Sequence, residues 1–503
     1  MELLVSLLQL VLPVIVELLL LIIMQSTLIN HVTLFYAPSL YICSFLSSPL
    51  KLIFFLSQTT LPTMSDSCSS CSYDSEELDL ANIIEEYIAQ QNVLGSIATQ
   101  LIDIFNLGPS HRQSGPRKCI QRDHEGAHQR LVADYFAENP LYPERMFRTR
   151  FRMRKHLFLR IVSALSEWSP YFTLRADCAN RQGLSPLQKC TSAIRMLAYG
   201  TPVDALDEYL KIGKSTALEC LDKFAQGVIE VFSGEYMRAP TVEDVQRLLQ
   251  VNESHGFPGM LGRIDCMNWR WENCPTAWKG QFTRGDYGVP TIILEAVASQ
   301  DLRIWHAFFG VLGSNNDINV LNQSPLFIEA LKGQAPQVQF SVNGRQYNIG
   351  YYLADGIYPE WAVFVKLIKA PQMEKHKLYA LNQEGCMKDI EHAFGVLQSR
   401  FNIVRRPSRL WKRRSIRRIM KACVILHNMI VEDEKEMVKF PIDLNEQGGS
   451  SIALPPEVQK GGGPIFSEIL RRRADIHHQP THKQLKQDLI EHIWQKFANR
   501  RNN

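Results

Sequence analysis

Apolar positions from residue 143 onward recur at helical spacing, with Phe151, Phe158, Ile161 and Leu165 on one stripe. Ser185 before Pro186 predicts a helix start, with Ile194, Leu197 and Ala198 following on one face. Residues 201–232 read as a short helix over 203–210, a turn over 211–214 and a second helix. In that reading Gly213 supplies an unusual dihedral in the turn, and the second helix opens at Ser215, capped by the Thr216 to Glu219 box. Helix, glycine-bearing turn, helix is a helix-turn-helix pattern, although any helical hairpin shares it.

From Gly259 the period changes. The stretches "LGRIDCMNW", "TIILEAVAS", "RIWHAFFGV" and "NIGYYLADG" are short β-rich runs bounded by Gly, Asn and Pro. Between and after them, "DINVLNQSPLFIEALKG", "PEWAVFVKLIK", "KDIEHAFGVLQSRF" and "RRSIRRIMKACVILHNMIVED" read as helical. Strands first, then strands alternating with helices, predict an α/β domain with a mixed central sheet. Residues 445–464 read as a linker, and Leu485, Leu489, Ile493, Trp494 and Phe497 mark a last amphipathic helix.

The first sixty residues break this pattern. Residues 3–24 are nearly all apolar, interrupted by Gln9, Pro13 and Glu17, and 34–55 form a second apolar stretch. About twenty apolar residues span a bilayer, so a membrane anchor is one reading. No basic region precedes the run, which disfavours a signal peptide, and Glu17 would cost about 3 kcal/mol at mid-membrane. The preferred reading is an extension outside the working protein, because Met64-Ser-Asp-Ser opens a polar, acidic segment like an ordinary soluble N-terminus. The expected organisation is therefore a hydrophobic leader over 1–63 and a partly disordered acidic segment over 64–140, with one helix over 78–105. A helical helix-turn-helix-like domain over 141–245, an α/β domain over 255–440 and a linker with a terminal helix over 441–503 follow. A membrane is not an expected partner.

The net charge of +4 over 503 residues decides little, but its distribution does more. Acids gather between Asp74 and Glu86, and bases between Arg145 and Lys155. Arg405, Arg406, Arg409, Lys412, Arg413, Arg414, Arg417, Arg418 and Lys421 form a second basic run. That asymmetry suits a polyanionic partner, and equally a solvated helix face. With Lys214 and Lys223 of the predicted second helix, Arg405, Arg406, Arg413 and Arg414 are the candidate DNA contacts. Eleven scattered cysteines form no disulfide framework, and Cys68-Ser-Ser-Cys71 lacks the second pair a zinc site needs.

Asp265 places an acid on an otherwise apolar strand, where an unpaired carboxylate costs several kcal/mol. Two more acids sit near element ends: Asp355 closes "YYLADG", and Glu391 opens a helix striped by Ile390, Phe394, Leu397 and Phe401. Gly395, one turn on from Glu391, would let another backbone come close. Converging carboxylates repel unless protonated or bridged by cations. Hard oxygen donors suit Mg²⁺ or Mn²⁺, and two such ions about 4 Å apart can activate a water and stabilise the leaving oxygen in phosphodiester cleavage. Strand-end and helix N-terminal acids without chemistry are the plain alternative. Asp317 reads as a helix cap, His306 as a core histidine and Asp286 as a turn residue. Trp269, Trp271 and Trp278 read as core rings that could otherwise stack bases.

The segments "GRIDCMNWRWENCPTAWKGQFTRGDYG", "YYLADGIYPEWAVFVK" and "DIEHAFGVLQSRFNIV" closely resemble plant PIF/Harbinger transposase-derived proteins, and the resemblance runs from about Phe147 to Glu434. It implies an RNase H-like nuclease core in which Asp265, Asp355 and Glu391 form a catalytic, metal-binding triad for Mg²⁺ or Mn²⁺. It also implies DNA as substrate, a nuclear location and a separate Myb-like DNA-binding partner protein. Three positions depart from the family pattern: Asn268 stands for the His of "CMHW", and Met387 and His392 stand where Arg is usual. Losing Arg near a phosphate site weakens substrate positioning. Some relatives are domesticated chromatin-associated interaction proteins, and the alternative expectation is such a protein with a vestigial triad.

Overall fold

A computed structural model of the chain describes residues 120–176, 180–285, 288–435, 450–457 and 466–498. The predicted leader, the helix over 78–105, Cys68, Cys71 and Asp286 lie outside them. Among the described residues no helix is long and apolar enough to cross a membrane.

The first half is helical: α1 His124–Leu131, α2 Glu144–Phe151, α3 Lys155–Trp168, α4 Pro186–Tyr199, α5 Asp207–Leu210, α6 Lys214–Tyr236 and α7 Val242–Ser254. Their apolar stripes meet in an aromatic core, where Phe147 and Phe151 stack at 4.1 Å and Phe158 meets Phe151 edge-on at 4.9 Å. The predicted start of α4 holds: Ser185 Oγ accepts from Gln188 N at 3.2 Å, and the Gln188 side chain accepts from Ser185 N at 2.9 Å. Helix α1 lies within the segment read as acidic and partly disordered, and buries Leu131, so the helical part begins before residue 141.

The turn before α6 departs from expectation. Lys211, at φ 53°, takes the left-handed conformation, whereas Gly213 is extended at φ −67°. Helix α6 opens at Lys214 with no side-chain cap, and Thr216 lies inside it. A glycine that ends an extended segment leaves the helix free to start directly after it.

The second half contains β1 Met260–Arg270, α8 Thr276–Phe282, β2 Thr291–Ala298, β3 Ile304–Leu312, α9 Asp317–Gln323 and α10 Ile328–Leu331. Then come β4 Gln337–Val342, β5 Arg345–Tyr347, β6 Tyr351–Ala354, β7 Phe364–Lys366, α11 Glu374–Arg400, α12 Asn402–Arg405 and α13 Arg413–Lys435. Strand β8 Ile452–Leu454 and helices α14 Phe466–Ile476 and α15 Gln479–Ala498 complete it. The main sheet has five strands in the order β3-β2-β1-β6-β7, antiparallel across β3-β2-β1 and parallel across β1-β6-β7. This mixed sheet with flanking helices is the expected RNase H-like α/β core.

Two expectations for this half fail. "PEWAVFVKLIK" is not helical; its centre is β7, where Val363, Phe364 and Val365 are all buried. The segment read as a linker over 445–464 carries β8, which pairs with β4 in a second, three-stranded sheet.

Helix α13 joins the halves by packing on both α6 and β3. Asn428 does this with its whole amide: Nδ2 donates to Tyr236 O at 2.8 Å and Ile304 O at 2.7 Å, and Oδ1 accepts from Ile304 N at 2.9 Å.

Candidate active site at the centre of the sheet

Strand alternation sets one face of β1: Arg263, Asp265, Met267 and Trp269 project the same way. Helix α11 covers this face. Arg263, 1% exposed, reaches Asp389 at 2.9 Å and Cys386 O at 3.1 Å, and Gln398 Nε2 reaches Met267 Sδ at 3.0 Å. Those contacts bracket the strand at 263 and 267 and the helix at 386–398, so Asp265 and Glu391 fall between them. Arg263 also donates to Asn252 Oδ1 at 3.0 Å, which fixes it to α7.

Strand β6 runs parallel to β1 with Arg263 opposite Leu353. Asp265 lies two residues past Arg263, and Asp355 two past Leu353, just beyond the end of β6. Asp265 Oδ1 accepts from Cys266 N at 2.8 Å, and Asp355 Oδ1 from Gly356 N at 2.5 Å. Asp265 is half-buried, while Asp355 and Glu391 are exposed.

The carboxyl of Asp265 is pushed up to about 6, first by burial and then by the charges of Asp317, Asp355 and Glu391, against the Cys266 amide. The three predicted acids therefore feel one field, and a fourth joins them. Asp317 is itself pushed up, chiefly by burial, with Asp355 and Glu295 adding and Arg284 opposing. The cap of α9 is Asn316, which accepts from Asn319 N at 2.9 Å, so Asp317 is not the cap it was read as. Glu295, fully buried on β2, also lies near, held by His306 at 3.1 Å. In "SNNDINVL" two residues compete for the cap, the one signal that could have freed Asp317 for the cluster.

Glu391 lies deep inside α11 rather than at a helix start, because the helix opens at Glu374. A Cβ on Gly395 would meet open space, so this glycine serves no close approach. Asn268 projects to the face opposite Asp265, where its Oδ1 accepts from Thr291 Oγ1 at 3.1 Å. Met387 packs partly buried against both larger cores, and His392 is exposed.

Four carboxylates with little local cation have the donor chemistry of a hard divalent ion site. Among the described residues, no group of three His, Cys, Asp or Glu side chains is gathered closely enough to hold one ion. Asp265 and Asp355 instead turn to neighbouring amides.

The candidate DNA contacts are spread over α6, the end of α12 and the start of α13. Lys214 is exposed in the first turn of α6, and Lys223 is half-buried further along it. Asp222 accepts from Ser415 Oγ at 3.0 Å and Arg418 Nη1 at 2.7 Å, which lays α13 beside α6 at Lys223. Arg405 and Arg414 are exposed, Arg406 donates to Gly200 O at 3.2 Å, and Arg413 lies 5.3 Å from the Phe282 ring. Trp269 and Trp271 are buried, but Trp278 is 41% exposed, against the core reading.

The fold defines a class: an RNase H-like mixed sheet, with Asp265 on its central strand and Asp355 just past the end of β6. Residues 234–438 match the family model described as plant transposon protein, which supports a transposon-derived family for this region. Residues 128–166 match a domain of unknown function. The chain matches no curated protein and no solved structure.

Proposed function

We propose that the chain is a metal-dependent DNA endonuclease derived from a PIF/Harbinger transposase. The observation that carries this reading is the parallel pairing of Arg263 with Leu353, two residues before Asp265 and Asp355, together with the charges of Asp355 and Glu391 acting on Asp265. Asp265, Asp355 and Glu391 would hold Mg²⁺ or Mn²⁺, with Asp317 adding negative charge beside them. Bound there, such ions supply activation of a water and charge stabilisation at the scissile phosphate. Asp355 and Glu391, both exposed, leave the site open to a polymer, while α11 and Arg263 hold Asp265 in the sheet. Lys214, Lys223, Arg405, Arg406, Arg413 and Arg414 would bind the DNA backbone. The setting that fits is the nucleus, with a separate Myb-like protein supplying sequence recognition.

The test is cleavage of plasmid DNA with Mg²⁺ or Mn²⁺ by the wild type and by Asp265→Asn. Loss of cleavage in the variant supports the reading; equal cleavage by both, or none by either, sinks it. DNA binding indifferent to chelator, without cleavage, would instead favour a domesticated chromatin-associated protein.

A further inference from the structure

Away from the carboxylates, two large aromatic rings stand in the open among cations. Trp278 on α8 is 41% exposed, and Trp411, just before α13, is 66% exposed. Trp278 packs against a buried ring, and the chain just before Trp411 is hydrogen-bonded to the same residue, Trp271. Its centroid lies 6.2 Å from that of Trp278, and its Nε1 donates to Leu410 O at 2.8 Å. Asn273 Nδ2 donates to Arg409 O at 2.6 Å, so the start of the β1–β2 connection and the segment before α13 are fastened into one surface.

A cation lies beside Trp278, and others flank both rings along the chain. The Arg413 guanidinium lies 5.9 Å from the Trp278 ring and approaches Gly310 O of the edge strand β3 at 3.5 Å. Gly310, at φ 116°, leaves room for Arg417, whose Nη2 lies 2.8 Å from where a Cβ would stand. Lys279, Arg409, Lys412 and Arg414 are exposed. No Asp or Glu occurs over 273–285 or 405–421, and Glu272 at the near end pairs with Arg270 at 3.3 Å.

Cations alone grip the phosphates of any nucleic acid, paired or not. Indole faces add stacking, which is available only where bases are unpaired. We propose that Trp278 and Trp411, with Lys412 and Arg413, form a platform for single-stranded DNA. Arg284, just past α8, faces Asp317, so the β1–β2 connection runs from the platform to the acids. The platform's purpose, holding an unpaired strand beside the cut, rests on the nuclease reading; its binding does not.

The test uses the full chain in chelator, with a labelled oligothymidylate and a duplex of equal length, followed by fluorescence anisotropy. Trp278→Ala and Trp411→Ala are each expected to weaken single-strand binding about tenfold and duplex binding less than about twofold. The salt dependence should not change, because no phosphate contact is lost, and Trp→Phe variants, which keep an aromatic face, should recover most of the affinity. Unchanged single-strand affinity, equal losses on both probes, or Phe variants as weak as Ala would overturn the proposal. Chelator removes cleavage from the measurement. A protein without nuclease activity that still selects single strands fails the function alone, and an active nuclease indifferent to strandedness fails the platform alone.

Discussion

Replacing Asp265 by Asn should make the protein more stable at neutral pH. Burial and the charges of Asp317, Asp355 and Glu391 push its carboxyl from 3.8 to about 6. A carboxyl raised that far disfavours its ionised form in the fold by about 3 kcal/mol. Because the folded state binds the proton more tightly than the unfolded chain, stability is highest below about pH 4, falls through about pH 6 and stays lowered above it. Asn keeps the acceptor oxygen for Cys266 N but carries no charge. The variant should therefore gain up to about 3 kcal/mol at about pH 7.5 and close to nothing at about pH 4, read as unfolding midpoints in chelator. Adding Mn²⁺ should raise the wild-type midpoint and leave the variant unmoved, since a ligand stabilises only the state that binds it. A variant less stable than wild type at both pH values would refute the electrostatic reasoning. An equal Mn²⁺ shift in both proteins would put the ion somewhere else.

Three further outcomes are expected. Glu391→Gln, at an exposed position on α11, should unfold within about 0.5 kcal/mol of wild type yet lose more cleavage than the about hundredfold typical of residues that only support a ligand; a smaller loss in a plasmid assay would remove Glu391 from the triad. Arg263→Ala removes a guanidinium that is 1% exposed and paired to Asp389 at 2.9 Å. It should cost about 3–5 kcal/mol in urea unfolding by leaving Asp389 without its partner, and a cost below about 1 kcal/mol would contradict the role assigned to this clasp. His427 is buried and pushed down to about 3, first by burial and then by Arg400. The unfolded chain takes that proton first, so stability should fall by about 3 kcal/mol between about pH 7 and pH 4.5, and His427→Gln should lose that part of the slope in denaturant titrations.

What could be read in advance followed from local chemistry. Ser185 and Gln188 cap α4 because a capping box needs only its own turn. Strand β1 was legible from its β-rich run. Strand β7 was not, because a parallel strand buried on both faces loses its alternation and reads as a helix-like apolar run. The hairpin of β4 and β5 did carry a signal: Asn343 and Gly344, at φ 50° and 76°, make the two-residue turn that Asn-Gly favours. At 211–213 the glycine misled, since Lys211 takes the strained conformation. Asp265, Asp355 and Glu391 could be named by motif, but Asp317 could not, because its nearness to Asp265 comes from how α9 meets the sheet.

Charge balance ties these pieces together. Arg263, the cation nearest Asp265 along the strand, is spent on Asp389. Among the described residues, Arg284 opposes Asp317, and Lys369 Nζ lies 3.5 Å from where a Cβ on Gly356 would stand. Against these two stand Asp265, Asp355, Glu391 and Asp317, with buried Glu295 close by. A fold selected for stability alone would gain by neutralising Asp265 or Asp317, whose carboxyls burial pushes up, as apolar replacements of buried charges commonly do. Asn268 does not relieve the imbalance, for it carries no charge and its Oδ1 accepts from Thr291 Oγ1. The departure that looked most threatening to the chemistry in "CMNW" therefore leaves the acids' field as it was, an excess of negative charge that the proposed divalent ions would offset.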